Sequence, residues 1–316
     1  MFWSLLALLI IIISYYILDW IIRSMRIGKA NEKYILITGC DSGFGRALAI
    51  HLDSVGFHVF AGCLTENGAK FLSEKCSSNV ATFLLDVTDA ESIQHALHFV
   101  KLRLPQEKGL WGLVNNAGVV GTLGAIELYS AQDYKQVINV NLLGPVEMVR
   151  NFLPLIRKSQ GRIVNVSSMC GRFPTGVTPY SCSKFGVEAF SDILRREVYN
   201  QNIKVSIIEP GGFRTGLADV DVMIEATRKC FERASPDVQS HYGEDFIAKK
   251  KEVLSNMSKE CNPDLQPVVD AMTHALTARF PRTRYVVGNF AKYFYIPLSY
   301  LPDWLSDWVV KATDME

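Results

Sequence analysis

An apolar run, Tyr34-Ile35-Leu36-Ile37, leads into Thr38-Gly39-Cys40-Asp41-Ser42-Gly43-Phe44-Gly45, and a helical pattern follows from Arg46. No other segment restricts the fold of this chain so strongly. A strand that turns over glycines into a helix leaves the helix's first N–H groups free and puts its positive dipole end at the turn. That arrangement suits a dinucleotide pyrophosphate, with no Cβ where backbone meets phosphate. The spacing is T-G-x-x-x-G-x-G rather than G-x-G-x-x-G, but the physical demand is the same.

The pattern after Lys33 supports that start. Short apolar strands are predicted at Tyr34–Thr38, His58–Cys63, Val80–Leu85, Gly112–Asn115, Arg162–Val166 and Lys204–Glu209, with a weaker one at Arg284–Val287. Helical stretches lie between them, among them Arg46–Val55, Ala90–Leu104, Ala131–Leu153 and Phe185–Asn200. Strands separated by helices imply parallel pairing and right-handed crossovers. The expected fold is therefore α/β, a doubly wound parallel sheet of the Rossmann type. It forms one catalytic domain over residues 29–316. Two regions break the alternation. Residues 220–260 are charged and helical and follow Pro210-Gly211-Gly212, so they are read as a substrate lid, against a plain surface insertion. Residues 290–310 are rich in Tyr, Phe, Trp, Leu and Pro and are read as lying on a membrane, covering a pocket, or completing the core.

Residues 1–28 differ in kind. Leu5 to Ile13 is uninterrupted apolar sequence, and the run resumes to Ile22 with Asp19 as its one charge. As a helix it is roughly 30 Å long, enough to cross a bilayer. A cleaved signal peptide would want a positive start, a shorter core and a small-residue cleavage site, and the chain has none of these. A retained anchor is expected. Arg23, Arg26, Lys29 and Lys33 follow it, which puts the catalytic domain on the cytoplasmic side. The seven cysteines form no C-x-x-C pair, in keeping with a reducing compartment. Thirty-three basic against 32 acidic residues give no nucleic-acid surface, and the six histidines show no metal-ligand spacing.

Further along, Tyr180-Ser181-Cys182-Ser183-Lys184 puts a phenol and an ammonium four residues apart, on one face of a helix. A phenol beside a fixed cation can move a proton near neutral pH. Y-x-x-x-K alone is common in helices. Here it follows a glycine turn, Asn115-Asn116-Ala117-Gly118 and Ser167-Ser168, in that order.

Together these motifs resemble the short-chain dehydrogenase/reductase family over roughly residues 33–290. The resemblance implies a catalytic tetrad of Asn141, Ser168, Tyr180 and Lys184, with Asn139 and Ser167 as the alternatives at two positions. It implies a cofactor cradle of Gly39, Asp41, Ser42, Gly43, Phe44, Gly45, Asp86, Val87, Asn115, Ala117, Gly118, Lys184, Pro210, Gly211 and Thr215. In the implied chemistry Tyr180 takes the alcohol proton as hydride leaves carbon for a nicotinamide. Lys184 lowers the phenol's pKa and holds ribose hydroxyls, Ser168 bonds the substrate oxygen, and Asn141 holds a water. The acid usual at the end of the second strand in NAD users is replaced by Cys63. The bases usual in NADP users are replaced by Leu64 and Asp41, and Asp41 would repel a 2′-phosphate. Glu66 could meet a ribose hydroxyl. NAD is expected, with NADP the alternative.

The anchor, Cys63-Leu64-Thr65-Glu66 and Gly109-Leu110-Trp111-Gly112-Leu113 further resemble the branch of microsomal retinol dehydrogenases and 3α/17β-hydroxysteroid dehydrogenases. This implies an endoplasmic reticulum membrane enzyme acting on a lipophilic secondary or allylic alcohol. A homo-oligomer is left open. Competing readings are an NADP-dependent carbonyl reductase, an epimerase, and a non-catalytic membrane-tethered binding protein.

Overall fold

The structure, a computed structural model, describes residues 2–174, 176–216 and 219–312. The chain opens with α1 (Phe2–Ser24), then β1 (Tyr34–Thr38), α2 (Gly43–Ser54), β2 (His58–Cys63), α3 (Glu66–Lys75), β3 (Val80–Leu84) and α4 (Ala90–Arg103). The second half runs β4 (Gly112–Asn115), α5 (Ala131–Ile138), α6 (Gly144–Ser159), β5 (Arg162–Val166), α7 (Thr178–Glu197) and β6 (Lys204–Pro210). It ends with α8 (Val220–Arg233), α9 (Pro236–Tyr242), α10 (Phe246–Glu260), α11 (Gln266–Thr277), β7 (Arg284–Val287), α12 (Ile296–Leu298) and α13 (Asp303–Ala312).

The strands form one seven-stranded sheet in the order β3-β2-β1-β4-β5-β6-β7, every pair parallel. A parallel sheet is covered on both faces, so its strands are apolar throughout. Alternate residues of β1 show this: Ile35 and Ile37 pack with Leu48, Leu52, Met272 and Leu276, while Leu36 packs with Phe60, Ile93, Met148 and Phe152. The order reverses between β1 and β4. A crevice opens there, beyond the carboxyl ends of the strands, where such sheets take ligands.

Three helices differ from the sequence reading, the first being α2, which starts at Gly43 rather than Arg46. The stretch expected as one helix over Ala131–Leu153 is interrupted by a π turn at Asn139–Leu143. Helix α7 starts at Thr178 rather than Phe185, with Pro179 in its first turn, so Tyr180 is already helical.

Helix α1 has an apolar stretch, Leu6–Ser24, long enough to cross a membrane, and none of it is buried against the protein. Its end is fastened to the opposite edge of the sheet from the crevice. The Ile27 amide donates to the Thr277 carbonyl (2.8 Å) and the Arg279 amide to that of Met25 (2.8 Å). The Arg23 guanidinium donates to the carbonyls of Phe280 (2.9 Å) and Pro281 (3.0 Å). Asp19, the lone charge of the apolar run, pairs with Arg23 (3.0 Å) and Arg282 (2.7 Å).

Candidate active site

At the end of β1 the glycine turn does what its composition requires. Gly43 sits at φ +56°, and a Cβ on Gly45 would come within 2.5 Å of the Gly39 carbonyl oxygen. Ser42, the N-cap of α2, is extended and its side chain caps nothing. Thr65 and Asp89, by contrast, cap α3 and α4 through their side chains. The first N–H groups of α2 are therefore left facing the crevice. Asn116 fixes the turn from β4: its amide group donates to the carbonyls of Thr38 (2.9 Å) and Gly39 (3.0 Å). The Thr38 hydroxyl accepts from the Asn116 and Ala117 amides, both at 3.0 Å. The sequence reading passed over Asn116; its place beside Asn115 gave no sign of which one reaches β1. Asn115 turns away into the sheet, donating to Asn165 (2.8 Å).

Asp41 is held at the end of β2. Its carboxylate accepts from the Leu64 amide (2.7 Å), the Thr65 amide (2.8 Å) and the Thr65 hydroxyl (2.7 Å). A fixed anion there, with Asp41 second to burial among the causes, helps push the buried Cys63 thiol up to about 12. Arg46 stands close by, 4.2 Å over the Phe71 ring, with a buried Nε that has no partner among the described residues. Asp86 closes a turn by accepting from the Thr88 amide (2.8 Å) and hydroxyl (2.7 Å), and Val87 is buried in the core. Thr215 lies against Gly43, whose Cβ would meet it at 3.3 Å. Gly211 is bonded to β7 through the Val287 carbonyl (2.8 Å).

Four further side chains converge over β4 and β5. The π turn carries Asn141 inward, while Asn139 is exposed. Such one-turn π segments recur at functional sites. The Asn141 amide accepts from the Val119 amide (2.8 Å) and donates to the Val119 carbonyl (2.8 Å) and the Ser183 hydroxyl (3.0 Å). Both its N–H groups are thus spent on protein, and its side chain pins the loop after β4 to α7. Ser168 receives the Cys170 amide (3.1 Å) and is hydrogen-bonded to the Tyr180 hydroxyl. Ser167 turns instead toward the Lys184 carbonyl, at 3.4 Å. Lys184 donates to the Val166 carbonyl (2.8 Å), with its ammonium 5.5 Å from the centre of the Tyr180 ring.

The electrostatics depart from the expectation in one respect. Burial pulls Lys184 down to about 8, with Cys170 and Glu188 opposing. Burial also pushes Tyr180 up, and only the Ser168 bond opposes it. The ammonium donates to Val166 and does not outweigh burial, so the protein alone leaves Tyr180 a neutral phenol.

This constellation decides the family. The description "short chain dehydrogenase" matches residues 33–222. The chain belongs to that family. It is 47% identical over 296 residues to mouse "17-beta-hydroxysteroid dehydrogenase type 6", covering 94% of this chain and 93% of that one. It is 46% identical over 284 residues to rat "Retinol dehydrogenase 7", covering 90% and 89%. Among solved structures, a short chain dehydrogenase/reductase from Burkholderia phymatum in complex with NAD superposes with a TM-score of 0.71 at 25% identity, covering 86% of this chain and 94% of that one. This short-chain dehydrogenase is thus an oxidoreductase by family.

Two late segments pack against the loops that carry the site residues. The first is α8 and α10, whose Met223, Ile224 and Leu254 pack with Val120 and Leu123 of the loop after β4. Arg233 ties α8 to Asp133 of α5 (3.0 Å). The second is the C-terminal segment, where Tyr295 and Leu298 pack on Phe173 and Met169, just past Ser168. That segment also shows large aromatics to the outside: Tyr300, Trp304 and Trp308 are 71%, 72% and 64% exposed.

Proposed function

We propose that this protein is a membrane-anchored dehydrogenase that moves a hydride between a lipophilic secondary or allylic alcohol, of the retinol or hydroxysteroid class, and NAD. One observation carries the reading: Tyr180 is bonded to Ser168 beside a buried Lys184, past the carboxyl ends of strands whose first turn opens helix α2 without a side-chain cap.

The residues present fit a nicotinamide dinucleotide. The free N–H groups of α2 suit the pyrophosphate. Gly118 keeps the space before Lys184 clear, since a Cβ there would lie 3.3 Å from Asn141 Oδ1 and 3.8 Å from Lys184 Nζ. A nicotinamide held there would supply the hydride acceptor and, in its oxidised form, a positive charge near the phenol. Tyr180, once ionised, takes the alcohol proton on its phenolate oxygen, and Ser168 holds the substrate oxygen in line. Lys184, still charged below about 8, favours the phenolate. Asn141 keeps the loop after β4 and α7 in register.

NAD is favoured because the Asp41 carboxylate is fixed by three hydrogen bonds where a 2′-phosphate would add negative charge. The unpaired Nε of Arg46 supports the second reading, an NADP-dependent carbonyl reductase. The lipophilic substrate is inferred from the similarity to the retinol and hydroxysteroid dehydrogenases, from the exposed α1, and from the aromatic C-terminal surface. Helix α1 holds the protein in the endoplasmic reticulum membrane, with residues 29–316 in the cytoplasm and residues 220–260 as the lid. Comparing kcat/KM for all-trans-retinol, 11-cis-retinol and androstane-3α-ol with each dinucleotide tests substrate and cofactor together. The orientation is read at Asn256, an exposed sequon on α10: sugar there would place the domain in the lumen.

A further inference from the structure

Behind Lys184 lies a cluster of charges that the reaction scheme does not use. Glu188 is one helical turn beyond Lys184 on α7, and Glu209 directly precedes Pro210 on β6. Both carboxyls are buried, Glu209 completely and Glu188 at 6% exposure. Arg284 of β7 reaches Glu209 (3.2 Å), Glu188 (3.1 Å) and Asp192 (2.8 Å). Arg172, just past the Ser168 turn, reaches Glu209 (3.3 Å) and the exposed Tyr300 hydroxyl of the C-terminal segment (2.6 Å).

Arg284 bridges the two carboxyls, meeting Glu188 Oε2 and Glu209 Oε1, and leaves one oxygen of each beyond its reach. Glu188 Oε1 and Glu209 Oε2 are buried without a donor. Two carboxylate oxygens cannot satisfy one another, because both only accept. One proton between them turns one oxygen into a donor and removes the repulsion. Arg195 also pairs with Asp192 (3.4 Å), so three guanidiniums, Arg172, Arg195 and Arg284, face three carboxyls with Lys184 beside them, and it is the donorless oxygens rather than the charge count that call for the shared proton. Burial, and then the facing carboxyl, push Glu188 up to about 7, and burial pushes Glu209 up as well.

We propose that Glu188 and Glu209 hold a single proton between them and act as positioning residues for Lys184, setting from behind the charge that the lysine meets. The role in catalysis rests on the dehydrogenase reading above; the shared proton does not. As the proton leaves with rising pH, the cluster gains a negative charge behind Lys184 and helps it stay an ammonium. Arg172 and Tyr300 join this cluster to the C-terminal segment.

The full-length enzyme in detergent is read in two ways. Infrared spectroscopy at about pH 6, where ordinary glutamates are ionised, is expected to show a protonated carboxyl. Glu188→Gln and Glu209→Gln should each abolish it, since the remaining carboxylate ionises beside the guanidiniums. The pH profile of kcat is the second readout. Either Gln variant should move the alkaline limb down by about half a pH unit, and Glu188→Asp should restore it. Identical carboxyl bands in wild type and both Gln variants overturn the shared proton. An unmoved alkaline limb in both overturns the link to Lys184. The infrared band needs no substrate, so it separates a failure here from a failure of the assigned reaction. Should one Gln variant not fold, the other carries both readouts.

Discussion

The two edges of the sheet follow opposite rules. At the amino edge, the junction that fastens α1 pairs its polar groups: Asp19 meets two arginines, Arg23 meets two carbonyls, and His274 bonds both Tyr285 and the Arg23 carbonyl, although Arg162 Nε and Thr273 Oγ1 close by are buried without a partner among the described residues. At the carboxyl edge, groups are held in costly states. Lys184 keeps a charge in a buried place, α2 goes without a side-chain cap, and Glu188 and Glu209 crowd together. The first edge is built for attachment and the second for chemistry. Stability is spent where a reaction needs preorganised charge. Substitutions should therefore part cleanly: those at the carboxyl edge change rate with little loss of stability, and those at the amino edge do the reverse.

Tyr180→Phe gives the largest expected effect. The ring packs as before, so cofactor binding and thermal stability stay close to wild type. Loss of the hydroxyl should lower kcat by about a hundredfold or more, the usual scale for a general acid/base. A variant that keeps more than about a tenth of the wild-type kcat takes Tyr180 out of the mechanism.

Asp41→Arg comes next. It removes an anion and supplies a phosphate partner beside Arg46. The ratio of kcat/KM for NADP to that for NAD should rise by about tenfold or more, roughly 1.4 kcal/mol. An unchanged ratio would mean that the carboxylate, for all its fixed position, does not face the ribose.

Lys184→Met tests the cost of the buried charge. The lysine's pKa is lowered from its ordinary 10.5 to about 8 by burial. Its cation is therefore disfavoured in the folded protein below about 8, and that strain is relieved as pH rises from about 8 toward the ordinary value. At neutral pH, Lys184→Met should raise Tm by about 2 °C or more while activity collapses. A fall in Tm at neutral pH would show that the Val166 bond outweighs desolvation, and the contrast between the edges would weaken.

Much of the carboxyl edge was legible in the chain because its rules are local. Glycines at φ-demanding turns, a Tyr and a Lys one helical turn apart, and strands of the right length are short-range signals, and the strands fall within a residue of their expected ends. The family motif alone favours Asn141 over Asn139; that it is the one turned inward follows from the π turn, which no periodicity announces. Glu188, Glu209, Arg172 and Arg284 come from four separate segments, so their meeting is a product of topology. Asp19, the one charge of the apolar run, shows no distant partner in the sequence for the same reason: Arg282 is far along the chain, and only the fold brings the two together.

The smallest predicted effect concerns the amino edge and pH. The Arg282 amide donates to the Tyr285 hydroxyl (2.9 Å), so that hydroxyl is free to donate to His274 Nδ1 (2.7 Å). His274 Nε2 then donates to the Arg23 carbonyl (3.0 Å). This network needs a neutral imidazole protonated on Nε2. Burial, and then Arg26, hold the pKa of His274 below its ordinary 6.5. A histidine so depressed adds stability above its ordinary value and loses it as pH falls through the folded one. Acidification should therefore loosen the fastening of α1 while leaving the carboxyl edge intact. Amide exchange of Ile27 and Arg279, corrected for the intrinsic effect of pH, reads this directly, because both amides donate across the junction. Between about pH 7.5 and 5.5 their protection should fall by about threefold, and amides of β4 and β5 should not follow. His274→Gln, which cannot titrate, should abolish the change. If the variant loses protection as the wild type does, His274 is not the group that loosens the junction, and the attachment edge owes its order to the arginines alone.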